Sequence, residues 1–443
     1  MQQRLIMLWV KCQYGNDDRE RPKMTQRNTR PAALLASAFL ALALLACSLS
    51  AAPTTGLVAT ATPVPAVTNT PVAASPAAGA TPGHAFDLAA VKQALDPDVA
   101  AYMAANNVVG CAVAIAYPGA AGGPLLTQVF SYGLASKATQ QPVTPATEFE
   151  IGSLSKLFTA DLLALFVGQG KMALDDPLQN YLPASVHVPT FNQQAITLRE
   201  LATHTSGLPR TDGLPTIRKV NDVFVFGYAT DDELYHFLDT YQLARPPGVV
   251  WLYSNLANAL LGVAEEQLSH SPYDALVTDQ ISAPLGLTGT RAALTVAEQP
   301  NLAQGYQADG QPAPAAVTVS ASTAAGGLHS TATDLAAYLV ANINPVATPL
   351  AQALQLTQQR QAIGPKPGVV MGLGWLIASP GTPAEQYSKD GATAGFTAYI
   401  AFSPARRSGF AATCNGHNVS QSLAPQINQL LLGASATESD DTP

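Results

Sequence analysis

The chain has 443 residues, 47% of them hydrophobic and 12% charged, enough apolar content to bury a large core in one domain or two. Its formal net charge of -8, with no basic cluster outside the N-terminal stretch, argues against a nucleic-acid surface. Cys12, Cys47, Cys111 and Cys414 stand far apart and no His-Glu-x-x-His occurs, so no zinc spacing is present.

Residues 1–46 read as a leader and signal peptide. A charged, irregular stretch runs to residue 23, and Met24 is a candidate true start. Arg27 and Arg30 then form a positive n-region, and Ala32 to Ala46 an apolar run too short to span a bilayer comfortably. The run ends Leu44-Leu45-Ala46-Cys47, which resembles the lipobox of bacterial lipoproteins. That resemblance implies lipidation at Cys47, an exported protein and a membrane as partner through the lipid. Plain signal cleavage and a transmembrane anchor are the other readings. Residues 47–85 carry this cysteine and a tether: Ser48 to Gly83 is mostly Ala, Thr, Pro and Val, without a charged or aromatic residue.

The folded part is expected over 86–433, with 434–443 as a disordered tail. Leu88 to Ala105 has helical periodicity interrupted at Pro97, and Val108–Tyr117 is a continuous apolar run of the kind found in buried strands. Leu125 to Gly133 completes a hairpin. Thr197-Leu198-Arg199-Glu200 is a capping box opening a short helix. Helical patterns recur at Asp231–Tyr241, Asn255–Leu268 and Tyr273–Leu285. Strand patterns return at Met371–Ala378, Glu385–Lys389, Phe396–Phe402 and Gly409–Cys414, followed by an amphipathic helix over Ser420–Leu432. Strands at both ends with helices between predict an α/β fold. An antiparallel sheet flanked by helices is built from 86–160 and about 320–433, and a helical insert covers about 161–319.

Within that frame, Glu150–Phe158 holds a Ser-x-x-Lys pair, Ser153 and Lys156, at the start of a helix whose apolar face is Leu154, Leu157, Phe158, Leu162, Leu165 and Phe166. Three residues apart on a helix are neighbours, so the Lys156 ammonium lies against the Ser153 hydroxyl. The serine also stands at the end of the helix that favours developing negative charge. Alone, the pair is equally an N-cap followed by a solvated lysine. Two further clusters weigh against that. Pro247–Asn255 places Tyr253 and Asn255 just before a helix, and Tyr387–Phe396 places Lys389, Asp390, Gly391 and Ala392 on a strand edge.

The order Ser-x-x-Lys, Tyr-x-Asn, Lys-x-Gly resembles the motif set of the serine β-lactamase and penicillin-binding-protein superfamily. It is most similar to class C β-lactamases, DD-peptidases of that fold and family VIII esterases. Leu174–Pro177, His204–Pro209 and Ala325–Ser330 are similar to the same group. The likeness covers roughly 86–433 and implies a β-lactamase/transpeptidase-like fold. It implies a serine hydrolase that works through an acyl-enzyme, without cofactor, on a small molecule or peptide, cell-wall peptides among the candidates. Ser153 would attack, Lys156 would help remove its proton, and Tyr253, biased towards phenolate by Lys156 and Lys389, would relay it. Asn255, Lys389, Asp390, Gly391 and Ala392 would bind substrate, and the Ser153 and Ala392 amides would form the oxyanion hole. His204 and Ser206 read as turn-forming rather than catalytic. A silent ligand- or cell-wall-binding lipoprotein on the same fold is the alternative.

One departure bears on substrate. β-Lactamases of this group have Thr where this chain has Asp390, and that hydroxyl, with the lysine, receives a substrate carboxylate. An ionised Asp only accepts hydrogen bonds and repels a carboxylate. An ester, amide or D-amino-acid peptide is therefore expected as substrate, with weak β-lactam turnover. The resemblance also makes the strands carrying Cys111 and Cys414 neighbours, either as a disulfide or as two buried thiols.

Overall fold

The computed structural model describes residues 87–119, 123–211, 217–220, 223–294, 299–314 and 320–433. The leader, Cys47, the tether and the tail at 434–443 lie outside these residues.

The chain begins with helix α1 (Leu88–Ala105), capped by the Asp87 carboxylate, which accepts from Ala90 N–H. Pro97 sits inside this helix without breaking it. Its ring is on the exposed side, while Val91, Leu95, Val99 and Tyr102 pack on the other. Packing of that face overrides the missing hydrogen bond, so the expected interruption does not occur. Strands β1 (Gly110–Pro118), β2 (Leu125–Ser136) and β3 (Gln141–Pro142) follow as a meander. β4 (Glu148–Glu150) leads through a 3-10 turn (Gly152–Leu154) into α2 (Ser155–Gly168).

The middle of the chain supplies α3 (Leu198–Ala202), a hairpin of β5 (Ile217–Val220) and β6 (Val223–Phe226), α4 (Asp231–Thr240) and α5 (Asn255–Ser269). The capping box that opens α3 is present in both halves. The hairpin falls inside the stretch read from the sequence as a helical insert. Then come β7 (His329–Thr331), which pairs with β4, α6 (Ala332–Ile343) and α7 (Pro349–Thr357). The remaining strands are β8 (Ala362–Ile363), β9 (Val369–Met371), β10 (Leu376–Ala378), β11 (Gln386–Ala392), β12 (Thr397–Ser403) and β13 (Ser408–Cys414). Met371–Ala378 is thus a hairpin of β9 and β10 rather than one strand. Helix α8 (Ala424–Leu432) closes the described residues, entered through a π-turn over Val419–Leu423.

Nine strands form one antiparallel sheet in the order β3-β2-β1-β13-β12-β11-β10-β9-β8. Its two chain segments meet at the β1–β13 seam, so the last strand docks beside the first. Both faces are covered. Ala112, Ala114 and Ala116 of β1 pack into the core that holds α2, α5, α6 and α7, while Cys111, Val113 and Ile115 pack beneath α1 and α8. A strand buried on both faces needs no polar alternation, which is why β1 is a continuous apolar run. Cys111 and Cys414 are register partners across the seam, with a Cα–Cα separation of 4.1 Å, and are joined by a disulfide. Among the described residues no helix is long and apolar enough to cross a membrane.

Helix α2 is the axis of the inner core. Every residue from Ser155 to Phe166 is buried, so it has no solvent face, unlike the one-sided helix that its large apolar residues suggest. Its polar side chains are turned inward: the Ser155 hydroxyl donates to Gly152 O at 2.7 Å and accepts from Leu328 N–H at 3.1 Å. Asp161 accepts from the Tyr338 phenol at 2.7 Å. Burial of Asp161 raises its pKa from 3.8 to about 8, so the folded protein holds the acid protonated. A raised acid pKa stabilises the fold at low pH and costs stability as pH climbs from the unfolded value through the folded one. Asp161→Asn keeps an acceptor for Tyr338 without that cost. In thermal melts, the wild-type Tm is expected to fall relative to the variant by several degrees between about pH 5 and about pH 9. A constant difference would show that Asp161 is ionised in the folded protein throughout this range.

Candidate active site

The Ser153 hydroxyl lies where three parts of the chain meet. The 3-10 turn lifts it to the head of α2, and Gly152 makes the turn by taking a φ of 50°. Tyr253 and Asn255 come from the entry to α5, and Lys389 from β11. The Lys156 ammonium, fully buried, donates to Ser153 Oγ at 3.0 Å, to Asn255 Oδ1 at 2.8 Å and to Ala325 O at 2.5 Å. These contacts account for its three donors. The Tyr253 phenol donates to Ser153 Oγ at 2.6 Å. Between two hydroxyls the same short contact serves a proton travelling the other way.

Asn255 is the first residue of α5, and the cap is Ser254, whose Oγ accepts from Ala257 N–H at 2.9 Å. Capping therefore falls to the neighbour, and the Asn255 amide is left to bind Lys156. Positive charge converges on the Tyr253 ring. Lys156 Nζ lies 5.0 Å from its centroid, Lys389 Nζ 4.9 Å and Arg210 Cζ 4.9 Å. Each is within cation–π range, and together they favour negative charge on the phenol oxygen. His204 packs on the same ring at 4.4 Å. Burial, then the charges of Lys389, Lys156 and Arg210, hold its pKa well below 6.5, so it adds no fourth cation. Neither Arg210 nor His204 is assigned to the site by motif reading. His204 lies in a stretch singled out there, but its proximity to Tyr253 has no local sequence signal.

Gly391 and Gly152 bring β11 against the turn. A Cβ on Gly391 would fall 2.2 Å from Ile151 O and 2.8 Å from Ser153 N; one on Gly152 would fall 2.6 Å from Ala392 N. Only glycine at both positions permits this approach, which brings the backbone at Ala392 against the turn that carries Ser153. Asp390 does not join them. Side chains alternate along a strand, and directly opposed residues share a face. Lys389 is opposite Ile400, in the inner core; Asp390 is opposite Tyr399, in the core under α1 and α8. The buried Asp390 side chain is on the far face of the sheet from Lys389, so the expected contact with substrate is corrected: neighbours in sequence are separated by the pleat. Among the described residues no group of His, Cys, Asp or Glu is arranged to hold a metal ion.

A family model described as Beta-lactamase matches residues 95–432. The chain is 30% identical over 360 residues to a beta-lactamase of Pseudomonas fluorescens, spanning 73% of this chain and 93% of that protein. It is 32% identical over 272 residues to the D-alanyl-D-alanine-carboxypeptidase/endopeptidase AmpH of Escherichia coli K12, spanning 58% of this chain and 68% of the relative. Among solved structures, D-alanine carboxypeptidase AmpC from Burkholderia cenocepacia superposes with a TM-score of 0.66 at 26% identity, covering 78% of this chain and 99% of that one. A class C beta lactamase gives a TM-score of 0.66 at 25% identity, covering 78% and 97%.

The close approach at Gly391 generates a test. Gly391→Ala is expected to lower kcat/KM by about a hundredfold, the loss typical of one oxyanion-hole donor. Gly168→Ala, whose added Cβ meets nothing within 4 Å, is the control and should leave activity unchanged. Equal activity in the two variants would show that the β11 approach is not needed.

Proposed function

We propose, for a chain that belongs to the Beta-lactamase family and is a serine hydrolase, that Ser153 is its nucleophile and that it acylates on esters, amides or D-amino-acid peptides, with weak turnover of β-lactams. The observation that carries this is the position of Ser153 Oγ, 2.6 Å from the Tyr253 phenol and 3.0 Å from the Lys156 ammonium.

In the first half-reaction Ser153 Oγ attacks the acyl carbon, and its proton passes to the Tyr253 oxygen, whose anionic form the three cations favour. The negative charge that develops on the carbonyl oxygen falls between the Ser153 and Ala392 amides, each such donor supplying about 3 kcal/mol. Tyr253 returns the proton to the departing alcohol or amine as the tetrahedral adduct collapses. In the second half-reaction it takes a proton from water, which attacks the acyl-enzyme ester; as the bond to Ser153 Oγ breaks, Tyr253 returns that proton to Oγ and the acid product leaves. Lys156 holds Ser153 and Asn255 in line throughout, and Lys389 keeps the local potential positive.

Weak turnover of β-lactams is read from position 390, where a carboxyl turned to the far face of the sheet from Lys389 stands in place of the threonine hydroxyl of β-lactamases. Acyl donors with no carboxylate at that place are favoured, esters and amides foremost, and the D-alanine carboxypeptidase relatives keep D-amino-acid peptides among the candidates. The reading places the protein outside the cytoplasm, tethered by lipid on Cys47. The Cys111–Cys414 disulfide supports export, since most cytosols keep thiols reduced.

A labelling experiment tests the assignment. A fluorophosphonate should add to the wild type and not to Ser153→Ala, and Tyr253→Phe should slow p-nitrophenyl ester hydrolysis by about a hundredfold or more. Fast β-lactam turnover with negligible esterase or D-peptidase activity would overturn the substrate class, and an absent Ser153-dependent adduct would overturn the nucleophile. A silent binding protein would give the second result.

A further inference from the structure

Tyr253 stands on a stretch, Gly248–Ser254, that is neither helix nor strand, so something else must aim its phenol. The stretch is laced to the loop His204–Arg210. Gly248 N–H donates to Thr205 O at 2.8 Å, Leu252 N–H to His204 O at 2.7 Å and Asn255 N–H to Arg210 O at 3.0 Å. The Ser254 hydroxyl donates to Pro209 O at 2.6 Å. One bond in the set depends on an imidazole: Ser254 N–H donates to His204 Nδ1 at 3.2 Å.

His204 holds this position at a cost. Its φ is 59°, left-handed for a residue with a Cβ. Because Nδ1 accepts, the proton of the neutral ring sits on Nε2, and Nε2 is buried without a hydrogen-bond partner. A strained backbone and an unpaired buried donor at one fully buried residue, packed on the candidate proton relay, call for a role that cheaper side chains do not fill.

We propose that His204 is a positioning residue: its Nδ1 lone pair and ring face together fix the aim of Tyr253 at Ser153, and the lock holds only while Nδ1 carries no proton. This rests on the relay role proposed for Tyr253. The charged and titratable groups that face the ring are Lys156 from α2, Lys389 from β11, Arg210 from its own loop and the Tyr253 phenol. A protonated ring would set N–H against the Ser254 N–H and add a fourth cation to three. Those cations and burial depress its pKa well below 6.5. A base with a depressed pKa stays neutral as pH falls through the unfolded value and is charged only far below it, so the lock survives mild acid.

Two variants and one spectrum decide. His204→Phe keeps a ring without an acceptor, whereas His204→Asn offers an oxygen near the Nδ1 place and is at ease in left-handed backbone. For a p-nitrophenyl ester, His204→Phe is expected to lose about tenfold to a hundredfold in kcat with KM little changed, and His204→Asn to recover most of it. In a Tyr253→Phe background His204→Phe should cost nothing further. An equal loss there, or none in the wild type, overturns the proposal. Nitrogen-15 spectra of the histidines read the ring without any turnover: one resonance pair, absent from His204→Asn, should report the Nε2–H tautomer from about pH 8 to about pH 5. A charged ring or the Nδ1–H tautomer across that range would also overturn it. Loss of Ser153-dependent labelling with this tautomer intact would instead count against the nucleophile assignment.

Discussion

The Lys156 ammonium is the constraint on which the rest of the site depends. It is fully buried, and a buried cation without acceptors is too costly to persist. Its acceptors come from the turn before α2, the first residue of α5 and the short helix that carries Ala325. Those segments are far apart in the chain, and meeting the lysine brings them to one point. Ser153 is thus located by the same bonds that make a charged core side chain tolerable, and α2, which bears the lysine, can be buried on every side from Ser155 to Phe166.

Around Tyr253 the balance is one of charge rather than shape. Three cations surround the phenol, and a fourth positive group on its face would disturb both the field and the backbone that carries the ring. The chain meets this with an imidazole kept neutral by burial and then by the charges it accompanies. Arg210 differs from the two lysines in being partly exposed, so the positive potential reaches from the core to the mouth of the site. The glycine pair at 152 and 391 serves a different end, letting two backbone amides approach where any side chain would hold them apart.

Much of this was legible in the residues. The neighbourhood of Ser153 and Lys156 rests on local spacing and the sheet assembled from both ends on the order of strand and helix patterns, whereas the meeting of that pair with Tyr253, Asn255 and Lys389 is what the resemblance to the family implies. What escaped reading depends on long-range packing. Pro97 lies within α1 because a buried face elsewhere on the helix outweighs a missing bond. Asp390 reads as a substrate contact next to Lys389 until strand pairing puts it on the other face. The β5–β6 hairpin has no flanking turn signal strong enough to separate it from loop. His204 reads as a turn former because nothing adjacent to it in the chain announces the tyrosine stacked upon it.

The seam between β1 and β13 has a bearing on when the protein acquires its reactivity. Ribosomes deliver α2, with Ser153 and Lys156, long before β11, β12 and β13 emerge. Until those strands dock, Lys389 is missing from the phenol, Ala392 is missing from the turn, and α2 has only the β1–β3 part of the sheet to pack on. An unfinished or truncated chain therefore holds the serine without the means to activate it. Pairing of such distant segments also makes assembly a late and topologically slow event. The hydrolase is in this sense self-timed: the order of synthesis delays its chemistry until the fold is closed.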